Sequence, residues 1–160
     1  MSQNHLPKKL LSEITKLCAQ GDAFLKGNGF EQAIAKYKAA WNLLPEKKLN
    51  WEAATWILTS AGDAYFRQGD YEKSLASFVG AVQGPGGLGN PYIHLRLGQS
   101  YFELGDTAKA GDELTRAYMG AGDDIFKDED EKYPTFLHTI LLPPLDDDSD
   151  LRKKRSKKKK

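Results

Sequence analysis

Three segments of this 160-residue chain repeat one spacing of small and bulky residues, and that repetition restricts the possible folds more than any other feature. Aligned on Gly21, Gly62 and Gly98, each copy places an aromatic residue three positions on, at Phe24, Tyr65 or Tyr101. Twelve positions beyond the glycine stands Ala33, Ser74 or Ala110. A bulky residue follows at Tyr37, Phe78 or Leu114, then an alanine at Ala40, Ala81 or Ala117. Side chains three and four apart share one face of a helix, so each copy reads as two helices in close contact. A single hairpin cannot bury its apolar face alone, and about three copies are needed for a continuous core.

The middle copy reads LTSAGDAYFRQGDYEKSLASFVGAV from Leu58 to Val82, and the third LRLGQSYFELGDTAKAGDELTRA from Leu95 to Ala117. The first, GDAFLKGNGFEQAIAKYKAAWNLLP, closes on Pro45. These segments resemble the tetratricopeptide repeat, a 34-residue helix-turn-helix unit with small residues where its helices cross. Over roughly residues 7 to 142 the resemblance implies an all-α fold, a short right-handed superhelical solenoid of three hairpins and a capping helix. The repeats fall at about 14–45, 55–86 and 91–122 and the capping helix at about 130–142. Residues 143–160, acidic and then polybasic, have a composition that predicts disorder.

Leu10, Ile14, Leu17, Gly21 and Phe24 form the buried stripe expected of a first helix, from Pro7 to about Lys26. Gly27, Asn28 and Gly29 end it, and a second helix follows from about Phe30 to Leu44. From Gly21 to Gly62 is 41 residues, longer than the ideal repeat, with the excess in EKKLNWEAA. Asn50 is the expected cap of a third helix that starts at Trp51 and is about a turn longer than usual. Trp41, Trp51 and Trp56 surround this insertion, either as filling for the added space or, for at least one, as an exposed anchor for a partner. Further helices are expected over Tyr71 to Gln83, from the Asn90 cap and Pro91, and over Thr107 to Met119, the last stopped by Gly120 and Gly122. Tyr133, Phe136, Leu137, Ile140 and Leu141 give the last stretch its apolar face, which would cover the flank of the third hairpin.

No apolar run has the length of a membrane span, and the N-terminus lacks a signal-peptide pattern. The lone Cys18 excludes an intrachain disulfide and fits a reducing compartment, so a cytoplasmic location is expected. Eight of the 23 basic residues lie between Arg152 and Lys160. The 15 others face 22 acidic residues, giving residues 1–151 a formal charge of −7.

The sequence offers little for catalysis. Gly84, Gly86 and Gly89 match GxGxxG, but a helix precedes them where a nucleotide site needs a strand, so a loop is expected. His5, His94 and His138 lack helical ligand spacing, and His94 reads as a packed core residue. Cys18 reads as an inert thiol, and DEDEK from Asp128 as a solvated start to the last helix. Neither metal, cofactor nor nucleophile with its base is expected, hence no enzyme.

The resemblance implies that positions two, five, nine, twelve and thirteen of each first helix line a concave groove. The expected partner-binding residues are Asp22 and Lys26, then Trp56, Asp63, Phe66 and Arg67, then Tyr92, Gln99, Phe102 and Glu103. Thr15, Cys18, Leu25, Thr59 and Leu95 share these positions. Co-chaperones of the family grip a chaperone's terminal carboxylate with asparagine, lysine and arginine at positions five and nine. This chain has Cys18, Asp22, Thr59, Asp63, Leu95 and Gln99 there, and aspartates repel a carboxylate. The expected function is therefore a non-catalytic module that binds a basic or amphipathic protein segment, helical or extended. A role with one dedicated partner, such as a toxin-neutralising immunity protein or a secretion chaperone, follows by analogy. The alternative is association of the lysine tail with nucleic acid or an anionic surface.

Overall fold

The computed structural model describes residues 5–141, and the expected polybasic tail lies outside them. Seven α-helices run through these residues: α1 (Lys8–Lys26), α2 (Phe30–Leu43), α3 (Glu52–Gln68), α4 (Tyr71–Gln83), α5 (Pro91–Glu103), α6 (Thr107–Ala121) and α7 (Lys132–Leu141). They pair as the hairpins α1/α2, α3/α4 and α5/α6, stacked so that α2 meets α3 and α4 meets α5. The first helices lie side by side, α1 against α3 and α3 against α5, and α7 covers α6. The result is a solenoid of helical hairpins.

The repeated glycines explain how close each pair lies. A Cβ at Gly21 would stand 2.5 Å from the Tyr37 ring, at Gly62 2.6 Å from Phe78 and at Gly98 2.6 Å from Leu114. All three bulky residues are fully buried, so each second helix presses a large side chain against bare backbone of the first. Ser74 holds the second crossing by donating its hydroxyl to the Gly62 carbonyl at 2.9 Å. Two hairpin turns share a further device. Gly69 and Gly105 are left-handed at φ +85°, and the following Asp70 and Asp106 cap the next helix by accepting the Lys73 and Lys109 amides.

Several boundaries differ from expectation. Asn50 is not a cap: it ends a 3-10 turn over Lys48–Asn50, and α3 starts at Glu52 with Trp51 before it. The insertion is ordered by Lys48, whose ammonium donates to the carbonyls of Trp41 at 2.9 Å and Leu44 at 2.6 Å, satisfying the open end of α2. The remainder lengthens α3 to 17 residues against 13 in α5, about one turn. Trp41 and Trp51 are partly buried there, whereas Trp56 is exposed. Phe24 is also exposed, so the buried stripe of α1 ends at Gly21. Gly120 lies inside α6 and leaves Gly122 as its terminator. A second 3-10 turn, Asp123–Phe126, precedes α7 and buries Phe126.

Candidate functional site

The inner face formed by α1, α3 and α5 is open at one end and covered at the other. At the open end Trp56 lines a cleft of about 100 Å³ with His5, Leu6, Leu11, Trp51, Glu52 and Ala53. Leu11 and Trp56 are both exposed, an apolar pair from adjacent first helices. Asp22 and Lys26 are exposed further along α1, and Asp22 accepts the Tyr37 hydroxyl at 2.6 Å. Burial and that bond to Asp22 push the Tyr37 hydroxyl far above its ordinary range.

At the centre stands Arg96, which none of the expected groove positions includes. Its guanidinium lies 4.6 Å from the Phe66 ring centre and 5.3 Å from that of Tyr92. Nε donates to Asp63 at 3.1 Å and to the Tyr92 hydroxyl at 3.1 Å, and Nη1 donates to Gln99 at 2.9 Å. Tyr92 in turn donates to Asp63 at 2.6 Å. Burial raises the Asp63 pKa, and the Arg96 charge and the Tyr92 bond hold it back. Burial works against the Arg96 charge too, but Tyr92, Asp63 and Glu129 outweigh it and keep the guanidinium above its usual range.

Over α5 the face is covered by the connection from α6 and by α7. Glu129 accepts from Gln99 at 2.9 Å and Arg96 at 3.3 Å. Glu103 accepts the Tyr133 hydroxyl at 2.7 Å and pairs with Lys132. Phe102 meets Tyr133 and Phe136 edge-on, with centroids 5.5 and 5.2 Å away. The DEDEK segment is thus not merely solvated, because its second residue turns inward.

The structure brings Asp63, Phe66, Tyr92 and Gln99 together around Arg96 and places Phe102 and Glu103 beneath α7. Arg67 is elsewhere: it donates to Asn28 at 2.8 Å and lies over the Phe30 ring, beside the first hairpin turn. The expected acidic flank is corrected accordingly. Asp63 and Glu103 are engaged in ion pairs, Asp22 is the exposed carboxylate among the three, and the repulsion expected from Asp63 is cancelled locally by Arg96. A signal for Arg96 was present in the spacing, since Tyr92, Arg96 and Gln99 at i, i+4 and i+7 share one helical stripe.

The other singled-out residues have ordinary surroundings. His94 is buried, and the Gly89 N–H donates to its Nε2 at 3.0 Å. In the neutral ring this leaves Nδ1 protonated, donating to Glu113 at 2.6 Å. The glycine-rich segment is a loop, with Gly86 and Gly89 at positive φ. Among the described residues no group of three or more potential ligands could hold a metal, and no helix is long and apolar enough to cross a membrane. Burial, with the Asp22 charge, pushes the Cys18 thiol from 9.0 up to about 11. At pH 8 Cys18 is therefore expected to react with a disulfide reagent about tenfold more slowly than an ordinary cysteine, because its thiolate is about a hundredfold scarcer but more nucleophilic. Labelling at the rate of a free thiol would contradict that environment.

The tetratricopeptide repeat family profile matches residues 59–124. No curated protein sequence matches the chain. Among solved structures, the chain is similar to the first such domain of Spaghetti (RPAP3) bound to an HSP90 peptide, at 17% identity and TM-score 0.63, covering 81% of this chain and 90% of that one. It is similar to PcrH in complex with the chaperone binding region of PopB, at 17% identity and TM-score 0.61, covering 82% and 98%. The C-terminal repeat domain of a putative FK506-binding protein from Plasmodium falciparum aligns at 15% identity and TM-score 0.65, covering 96% and 97%. The sequence match covers residues 59–124, and the fold of the described residues is that of the tetratricopeptide repeat solenoids to which it is similar.

Proposed function

We propose that the chain binds an amphipathic segment of one dedicated protein partner along the inner face of α1 and α3, without catalysis. The observation that carries this reading is the exposed apolar cleft of Leu11, Trp51 and Trp56 on that face. A large aromatic at the edge of an open cleft is the kind of residue that dominates binding energy. The exposed carboxylates of Asp22 and Glu52 favour a basic residue beside the partner's apolar anchor. The peptide in the Spaghetti structure and the PopB region in the PcrH complex support a groove that takes a segment of another chain, and the latter supports a chaperone type of role.

Peptides selected from a phage-displayed random library against the full chain test this reading. Trp56→Ala is expected to weaken them about 30-fold, the loss of a hot spot of about 2 kcal/mol. Leu88→Ala with Met119→Ala, at two exposed apolar residues elsewhere, is expected to leave affinity unchanged. If the second variant lost binding and the first did not, the site would lie on the other surface.

A further inference from the structure

Equivalent positions of the three first helices differ in access. Asp22 is exposed and Asp63 half-buried, yet Gln99 is 0% exposed. The difference is not in α5 itself, because what covers Gln99 is the chain between α6 and α7. Its Glu129 carboxylate sits on two donors of α5, Gln99 Nε2 and Arg96 Nη1.

Those donors are held independently of Glu129. Arg96 is fixed by Asp63, by the Tyr92 hydroxyl, by the Gln99 carbonyl and by two aromatic rings. A seat organised in this way keeps its shape when the carboxylate leaves, which lowers the cost of binding another. Glu129 itself lies outside regular helix, between the turn at Asp123–Phe126 and the start of α7. Its neighbours Phe126 and Tyr133 are buried, so the connection is anchored on both sides of Glu129.

We propose that Glu129 is an internal ligand of the groove: it holds the Arg96–Gln99 seat closed, and a partner segment extending from α3 onto α5 replaces it with an acidic side chain of its own. This regulation rests on the groove reading above. The partner would carry its basic residue towards Asp22 and its acidic residue towards Arg96. Exchange of one carboxylate for another conserves the local charge, so the competition is decided by the rest of the segment.

The probe is a set of peptides selected from the random library on the full chain carrying Glu129→Ala. They are expected to contain Asp or Glu, to bind this variant about tenfold more tightly than the unchanged chain, and to shift the Arg96 Nε–H resonance. Where circular dichroism shows Glu129→Ala unfolded, Glu129→Gln takes its place. Lys132→Ala, which removes the neighbouring Glu103 pair and leaves the seat filled, is expected to produce no gain. Equal affinity for variant and unchanged chain, or an equal gain from Lys132→Ala, would overturn the internal ligand. If either occurred while Trp56→Ala still weakened binding, the groove would stand without it. If Trp56→Ala also had no effect, the groove reading itself would fall.

Discussion

Arg96→Ala is expected to lower the unfolding free energy by about 3–5 kcal/mol at neutral pH, the usual cost of removing one partner from a buried charge pair. The Arg96 side chain is only 13% exposed, and its partners Asp63 and Glu129 are 22% and 16% exposed. Without the guanidinium both carboxylates remain in place with neighbouring negative charge uncompensated. The pH dependence gives a separate check on this cause. Burial already raises the folded-state pKa of Asp63, and Arg96 opposes the rise, so its removal raises that pKa further. A carboxyl with a raised folded-state pKa binds its proton more tightly in the folded chain. Relative stability is then greatest below the unfolded value of about 3.9 and is lost as pH rises through the folded one. The deficit should accordingly be full at pH 7 and shrink towards pH 4 in urea titrations. A deficit of equal size at both would assign the loss to contacts with the Phe66 and Tyr92 rings and not to charge.

Phe78→Ala is expected to cost a similar amount, about 3–5 kcal/mol, for a different reason. Phe78 is fully buried, lies against the bare backbone of Gly62, and packs in the cluster that joins α4 to Ile93 and Leu97 of α5. Truncation opens a cavity at a helix crossing and removes contacts to the next hairpin in the same step. Stacked repeats touch only their neighbours, so damage to the middle hairpin also weakens cooperation between the outer two. Thermal unfolding should therefore broaden as well as shift down. A loss below about 1.5 kcal/mol would mean that the crossing collapses around the smaller residue.

The helix crossings were legible in the sequence because each depends on a few residues at fixed local spacing. Gly62, Ser74, Phe78 and Ala81 meet across one hairpin, and the order of small and bulky residues states which helix yields to which. The groove was less legible. Positions of a first helix can be counted, and Trp56 and Asp22 stand exposed at two of them. Counting does not register what the chain lays over a helix from 30 residues away, as Glu129 does over Gln99 and Tyr133 over Glu103. Arg96 escaped for a different reason: the counted positions pass over it, although it stands on one helical stripe with Tyr92 and Gln99. Asn50 carried a good cap signal, but the 3-10 turn formed by Lys48 and its two carbonyl bonds displaced the start of α3 by one residue.

That ordered insertion has a bearing on how the chain finds its native pairing. Near-identical hairpins in tandem can dock out of order or exchange between molecules, a common failure of repeat proteins. Here the lengthened α3 and the Lys48 clasp make the junction of α2 with α3 unlike that of α4 with α5. A hairpin shifted by one place would meet a helix of the wrong length. The irregularity thus acts as a key between otherwise interchangeable parts, allowing one order of assembly and penalising the rest.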